Sequence, residues 1–352
     1  LKLFSKIINI FDNSFPFFSI RSSFVKKLIK KKLSKYNVLD DKIFFLDHHF
    51  CHAIGAFYAS GFSEDTLIVT CDGKGDGYSH KNFFGRVDNN GLKEVELISS
   101  TKDYDSIGFF YSTVTEFLGF KRMRHEGKVT GLAAHGKLNK SINSPVSLKN
   151  DGLSLKNELI KDHCESKIKL FKEFIKLDFK LFFKILINNA ALEGRYAQHK
   201  ILKFLNKNLI GLSREDIAFY AQNVLETNLV KLINNFISKY KSNNLCLSGG
   251  VFANVKLNQK ILESSKKNVF VMPAMDDGGL SLGASLYVYE KVSNKKIDEK
   301  FENIYFGPGY NNSEIEKVLI NSKLNYKWYE NIEEIIAIEL SKEKIVGRFN
   351  ER

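Results

Sequence analysis

The segment Asp47-His48-His49-Phe50-Cys51-His52-Ala53 carries the densest chemistry in the chain. On a helix, His48 and His52 lie on one face, one turn apart. Two imidazoles so placed bind one divalent ion when a third ligand arrives from elsewhere. Packed or surface histidines show the same spacing, so the pair needs support from the rest of the chain. An acidic pair far downstream can supply it. Asp276 and Asp277 follow the apolar run Val269-Phe270-Val271-Met272 and precede the helix start Gly278-Gly279-Leu280-Ser281-Leu282-Gly283-Ala284. Asp276 by itself reads as turn chemistry. His49 is a weak candidate for a general base, since packing or support of a neighbouring ligand accounts for it better.

Three glycine-bearing stretches add a second kind of chemistry. Thr66-Leu67-Ile68-Val69-Thr70-Cys71 reads as a buried strand running into Asp72-Gly73-Lys74-Gly75-Asp76-Gly77. A strand ending in such a turn leaves backbone N–H groups to face a phosphate, with Asp72 placed to hold a water or metal on it. The hexapeptide also fits a hairpin, because residues 83–87 and 92–97 follow as strands around Asn89-Asn90-Gly91. Residues 125–136 have a helical pattern interrupted by Gly127, Gly131 and Gly136, each costing about 1 kcal/mol against Ala in a helix. That cost points to a backbone held close to a ligand or another helix. Glu126 can accept from ribose hydroxyls and Lys128 can pair with phosphate, though both also read as solvated charges. In Leu245-Cys246-Leu247-Ser248-Gly249-Gly250-Val251-Phe252-Ala253-Asn254, Gly249 and Gly250 let the chain approach a nucleotide with no Cβ in the way. Asn254 is expected one turn into the next helix.

The elements that must position these residues alternate between strand and helix, so the fold class is α/β. Ile43-Phe44-Phe45-Leu46 reads as a short buried strand, and the His48–His52 helix stops near Gly61. Residues 1–36 fit two amphipathic helices parted near Pro16, suited to packing on a partner domain. A helix is expected over 107–120, a hairpin around Asn150-Asp151-Gly152, and a helical insertion over about 157–212. Ser213 reads as the N-cap of a long helix running to about Tyr240. Residues 301–349 read as one more α/β stretch with a turn at Gly307-Pro308-Gly309.

The chain has 352 residues, 43% hydrophobic and 26% charged, an ordinary globular balance. Its net charge of +13 is compatible with phosphorylated substrates. The basic residues do not interleave with aromatics along one face, which weighs against nucleic acid. Cys51, Cys71, Cys164 and Cys246 form no CxxC pair, which fits a reducing, cytoplasmic compartment and no structural zinc knuckle. No run of about 18 apolar residues is present, so no membrane span is expected. The chain opens at Leu1 and closes at Arg352, shortly after Ile345-Val346-Gly347, which reads as a strand heading into something further. The expectation is a piece of a longer protein.

DHHFCHA, DGKGDG, EGKVTGLAAHG, LSGGVFANV and PAMDDGGLSLGA, in that order, resemble the NodU/CmcH-type carbamoyltransferases over nearly the whole chain. The resemblance implies a Kae1-like domain, a duplicated ribonuclease-H-like fold of the actin, Hsp70 and sugar-kinase type, over 1–300. Residues 301–352 would end that domain and lead into a YrdC-like domain. It implies Fe(II) or another divalent metal on His48, His52 and Asp277, the family having Gly where Asp276 stands. It implies ATP or carbamoyl adenylate against Asp72, Gly73, Gly75, Glu126, Gly127, Lys128, Gly249, Gly250 and Asn254, with room for Mg2+. The implied reaction moves a carbamoyl group from carbamoyl phosphate, through carbamoyl adenylate, to a hydroxyl of a sugar, nodulation-factor-like or antibiotic-like acceptor. This piece alone is expected to be inactive, and a homodimer is left open. Two other readings share some motifs: a tRNA threonylcarbamoyladenosine transferase-like enzyme, and a non-catalytic actin-like nucleotide-binding module.

Overall fold

The computed structural model describes residues 18–137, 142–160, 192–297 and 300–349. The chain divides into two compact units, Leu1–Lys300 and Phe301–Arg352. In the first, helix α1 (Phe18–Leu33) precedes α2 (His48–Ala59) and the strands β1 (Thr66–Gly75), β2 (Tyr78–Val87) and β3 (Lys93–Lys102). Helices α3 (Ile107–Phe117) and α4 (Glu126–Ala133) follow, then the hairpin β4 (Val146–Leu148) and β5 (Leu155–Asn157). Next come α5 (Leu192–Asn208), α6 (Arg214–Lys239), β6 (Asn244–Ser248), α7 (Val255–Ser265), β7 (Asn268–Val271) and α8 (Leu280–Ser293).

The main sheet has the order β3-β2-β1-β6-β7. β1, β2 and β3 form an antiparallel meander, while β6 and β7 run parallel to β1. A three-strand meander with parallel strands added beside its first member is the arrangement of a ribonuclease-H-like unit. One sheet of this kind lies among the described residues.

The strand sequences explain how the sheet is covered. β6 and the first six residues of β1 are buried throughout, as expected for strands packed on both faces. Alternation then divides the two sides. Leu67, Val69, Cys71, Leu245 and Leu247 join Phe110 and Val114 of α3 and Leu225, Leu229 and Leu232 of α6 in the main core. On the other side, Cys246 Sγ lies 3.7 Å from the Ala56 carbonyl and Thr70 Oγ1 lies 2.9 Å from His49 Nδ1, both on α2. Helix α8 packs on α2 where two glycines meet. A Cβ on Gly55 would lie 3.4 Å from Gly283 Cα, and one on Gly283 only 2.0 Å from the Cys51 carbonyl oxygen.

Local capping agrees with the residue types. Asp47 caps α2 by accepting from Phe50 N, and Ser213 caps α6 by accepting from Asp216 N. α6 ends at Lys239, as its pattern predicts. Several expectations need correction. Residues 43–46 form no strand, and Phe44 is 48% exposed; an apolar tetrad with no neighbouring ladder has nothing to pair with. In the second unit the described residues hold two helices, α9 (Asn312–Asn321) and α10 (Ile332–Ser341), and no strand. Ile345-Val346-Gly347 is likewise unpaired, with Ile345 fully exposed. Of the two helices expected in 1–36, the second is α1; the first, and residues 161–191 of the expected insertion, lie outside the described residues. No helix among the described residues is long and apolar enough to cross a membrane.

One buried group on β2 gives the fold a pH dependence. His80 on β2 is fully buried, with Nε2 donating to Asn82 Oδ1 at 3.0 Å and Nδ1 beside Thr101 Oγ1 at 3.2 Å. Burial pushes its pKa down to about 4. The unfolded chain therefore binds a proton near pH 6.5 that the folded chain takes up only near 4. Stability falls as pH drops through that window, by about 3 kcal/mol for this group. His80→Gln is expected to flatten the acid side of the stability curve between those pH values, as measured by urea unfolding. An unchanged slope would contradict this.

Candidate functional site

The parallel strands β1, β6 and β7 end side by side, and the chemistry-bearing residues collect at those carboxyl ends, where open α/β sheets bind ligands. Asp72 comes from a register shift in β1: between Cys71 and Gly75 the strand carries more residues than β2 does between His80 and Tyr78. Such a bulge breaks the alternation and re-aims a side chain. Asp72 Oδ1 accepts from Gly73 N at 2.6 Å, which leaves Oδ2 turned to the histidines of α2. Asp277 stands in the turn after β7, just before α8.

Four ligand atoms converge there. His48 Nε2 lies 3.6 Å from Asp72 Oδ2 and 3.6 Å from Asp277 Oδ1. His52 Nε2 lies 3.4 Å from Asp72 Oδ2 and 3.9 Å from Asp277 Oδ1. All four atoms fall within 4.8 Å of one another. His48 Nε2, His52 Nε2 and Asp72 Oδ2 are buried and have no hydrogen-bond partner among the described residues. The charges are close enough to attract one another, but too far apart or too badly aimed to hydrogen-bond. A tetrahedral ion with bonds of about 2.1 Å separates its ligands by about 3.4 Å. Two nitrogens and two oxygens near that spacing, three of the four atoms orphaned, fit a borderline divalent cation.

Electrostatics keep the cluster ready for a cation. Burial alone would raise the Asp72 pKa, but the His48 and His52 rings and the Gly73 amide hold it well below the usual carboxylate range. Burial works against the charged form of His48 too, yet Asp72, Asp277 and Asp76 raise its pKa. Ser248 Oγ lies 3.3 Å from His52 Nδ1, which steadies that ring with Nε2 facing the cluster. The side chain of Asp277 is 73% exposed, so the centre is open on one side. Asp276 turns away and accepts from Gly278 N at 3.0 Å, as turn chemistry predicts.

His49 is not arranged as a base. It is fully buried, with Nε2 donating to the Tyr78 carbonyl at 3.1 Å and Nδ1 against Thr70 Oγ1. Burial pushes its pKa down to about 3.

The residues expected around a nucleotide fall into separate groups. Gly73 and Gly250 adjoin Asp72: a Cβ on Gly250 would lie 3.3 Å from Asp72 Oδ1, and one on Gly73 3.2 Å from the Phe109 ring. Gly249 has φ +101, and a Cβ there would lie 2.2 Å from the Cys71 carbonyl oxygen; its N–H donates to Met275 O at 2.8 Å. It therefore ties the β6 turn to the segment carrying Asp277. DGKGDG is a hairpin end and not an open loop, because Asp76 (φ 50) and Gly77 (φ 80) make a tight turn between β1 and β2. Gly75 faces the His48 ring. Glu126 opens α4 and accepts from Met123 N at 2.7 Å, while Lys128 lies 5.8 Å from the centre of the Phe120 ring. Among the described residues, Gly127 and Gly131 have open space where a Cβ would go, so no described helix accounts for them, whereas Gly136 abuts the Glu215 carbonyl.

Asn254 also differs from expectation. It is the N-cap of α7 rather than a residue one turn in, and its Oδ1 accepts from Leu257 N at 3.0 Å. Its amide exchanges hydrogen bonds with Gln222 at 2.8 and 3.0 Å and reaches Thr130 at 3.1 Å. A cap must meet the first free N–H groups of its helix, which takes Asn254 inward. Ser248, and Asp72 as a partner of both histidines, are the residues that motif reading did not assign to the centre. The dipeptide Ser248-Gly249 following an all-apolar strand was the available signal for the first. The bulge behind the second leaves no mark in composition.

Comparison with known proteins gives the chain a family. The family described as Carbamoyltransferase N-terminus matches residues 6–286. An uncharacterized protein of Methanocaldococcus jannaschii, MJ1051, is 34% identical over 311 residues, covering 86% of this chain and 52% of its own length. The nodulation protein NolO of Bradyrhizobium diazoefficiens is 27% identical over 281 residues, covering 79% of this chain and 44% of that one. Among solved structures, full-length HypF in its phosphate- and nucleotide-bound form is similar at a TM-score of 0.42 and 15% identity, over 71% of this chain and 36% of that one. The chain spans about half the length of the first curated relatives it matches. With the family matched over most of its residues, this chain belongs to the carbamoyltransferases, as an instance of their N-terminal region.

Proposed function

We propose that the whole protein is an ATP-dependent O-carbamoyltransferase, and that this chain contributes the site where the carbamoyl group reaches its acceptor. The donor would be carbamoyl phosphate, activated as carbamoyl adenylate, and the acceptor a hydroxyl on a small molecule. The observation that carries this reading is the quartet His48, His52, Asp72 and Asp277, with three buried unpartnered atoms, in a chain of the carbamoyltransferase family. These four residues would hold a divalent ion, and two imidazoles with carboxylates and an open side suit Fe(II). When bound, such an ion supplies Lewis acidity for the carbamoyl carbonyl.

The chain's own residues would do the positioning. Asp72 stays ionised because the two histidines beside it and the Gly73 amide outweigh its burial. Ser248 holds the His52 ring at a fixed angle. Gly73 and Gly250 leave open backbone beside Asp72, where an adenylate phosphate could approach without meeting a Cβ. Holding the activated group there would make attack by the acceptor effectively unimolecular. Gly127 and Gly131 leave bare ground on α4, next to Glu126 and Lys128, for the nucleoside end of the same ligand.

The test uses the full-length protein with ATP, carbamoyl phosphate carrying a labelled carbamoyl group, and a panel of hydroxylated sugars and aminoglycosides. The expected result is AMP formation that requires carbamoyl phosphate, with label on one acceptor class. The 352-residue chain alone should transfer nothing. Transfer by this chain alone from carbamoyl phosphate would contradict the division of labour. A product requiring threonine and tRNA would replace the reading with threonylcarbamoyl transfer. Nucleotide binding with neither metal nor product would leave a non-catalytic module.

A further inference from the structure

The tip of the first hairpin sits where the family pattern leads one to expect a nucleotide contact. Its backbone meets a metal-ligand candidate instead. A Cβ built on Gly75 would lie 2.0 Å from His48 Cδ2, 2.3 Å from Cγ and 2.5 Å from Nε2. The imidazole thus rests on the bare Cα of Gly75. Backbone conformation does not require a glycine there, because Gly75 is not among the residues with positive φ. The ring of His48 is the demand that excludes a side chain.

The next residue holds the same histidine from another direction. Asp76 takes a left-handed conformation, φ 50, and its Oδ2 accepts from the His48 backbone N–H at 2.8 Å. That N–H is the first of α2 and has no partner within the helix. From β2, Lys81 Nζ donates to Asp47 Oδ2 at 2.8 Å, while Asp47 Oδ1 caps α2 through Phe50 N. The hairpin therefore fixes the start of α2 at two backbone-linked points, and Gly75 provides the surface against which the ring lies.

We infer that Gly75 and Asp76 are positioning residues for His48, setting its ring in the metal-ligand orientation, and that Gly75 is a glycine for this reason and not to admit a phosphate. The inference rests on the metal reading of the quartet. It separates two quantities that usually move together. The His48 ring lies at the first turn of its helix, and the atoms a methyl group would meet are side-chain and not backbone atoms, so a rotation of the ring about its side-chain torsions makes room. Such a swing costs the metal-free fold little, but it takes Nε2 away from the other three ligands.

The experiment is a Co2+ titration of the full chain, followed by its visible spectrum and by competition with a chelator, beside thermal unfolding without metal. Gly75→Ala is expected to lower Co2+ affinity roughly 10–100-fold, the range for residues that orient ligands, with the metal-free melting temperature close to that of the parent. Asp76→Ala should lower affinity as well, and Asp76→Asn, which keeps an acceptor for the His48 N–H, should lower it less. The decisive arm is a double-mutant cycle: with His48→Ala already present, Gly75→Ala should change neither affinity nor stability further. That arm reads out even if Gly75→Ala alone folds poorly, because removing the ring removes the clash. Wild-type affinity and spectrum in Gly75→Ala would overturn the inference, as would a Gly75→Ala penalty that persists without the ring. A parent chain that binds no Co2+ or Fe2+ would instead overturn the metal reading and this role with it.

Discussion

Asp277→Ala is expected to weaken divalent-metal binding by about 100-fold while leaving the metal-free protein as stable as its parent. The size of the effect follows from sharing binding energy among ligands. Structural sites with four ligands bind zinc with about 10–16 kcal/mol, so one ligand is worth about 3 kcal/mol, or about 100-fold in affinity. The stability half follows from exposure. The Asp277 side chain is 73% exposed and its partners are the two imidazoles of the quartet; exposed substitutions of this kind usually stay within about 0.5 kcal/mol. His52→Ala should weaken binding just as well, but His52 is only 2% exposed, and its loss would leave a hole and confuse the two effects. Asp276→Asn is the matched control. Its side chain caps Gly278 N and is not among the convergent atoms, so metal content should persist. Elemental analysis and the metal-induced rise in melting temperature measure both halves. In the full-length protein, carbamoyl transfer should vanish with Asp277→Ala and survive with Asp276→Asn. Wild-type metal content in Asp277→Ala would remove the quartet from the function.

How far such a site can be read from sequence depends on what each residue's role leaves in the pattern. The strands β1 and β6 were legible because both faces are buried, which writes the short apolar runs Leu67-Ile68-Val69 and Leu245-Cys246-Leu247. The two histidines were legible because helical spacing puts both on one face. Asp277 was legible only through the family pattern, since an Asp-Asp pair after a strand looks the same whichever member turns inward. The part of Asp72 in the quartet was hidden, because it depends on a bulge between Cys71 and Gly75 that no composition announces. Gly75 is ambiguous in the pattern for a related reason. A glycine beside a strand end signals a close approach, but not what approaches, and here it is an imidazole from another element. Asn254 shows the limit for helix starts: about one turn separates the expected position from the cap that turns inward. The apolar tetrad at 43–46 shows the converse, a run with strand character and no partner strand.

Gly283→Ala is expected to have the opposite profile to Gly75→Ala, losing stability and metal together. In an ordinary helix this substitution adds about 1 kcal/mol of helix propensity, so destabilisation would itself be diagnostic. The added methyl group would lie 2.0 Å from the Cys51 carbonyl oxygen, 2.9 Å from its carbon and 3.0 Å from Gly55 N. All three are backbone atoms of α2, held by the helix's own hydrogen bonds, so no side chain can swing aside. Relief requires α8 to move off α2, and overpacking of that sort typically costs about 1–3 kcal/mol. The movement reaches the quartet directly, because Asp277 lies just before α8 while His48 and His52 ride on α2. The Gly55–Gly283 contact thus sets the distance between two histidines and a carboxylate more than two hundred residues apart in the chain. Gly55→Ala should be milder, since its added methyl group would meet Gly283 Cα at an ordinary 3.4 Å. Urea unfolding and Co2+ titration of both variants measure the contrast. A Gly283→Ala protein with parental stability and full metal affinity would mean that this helix crossing does not hold the carboxylate in place.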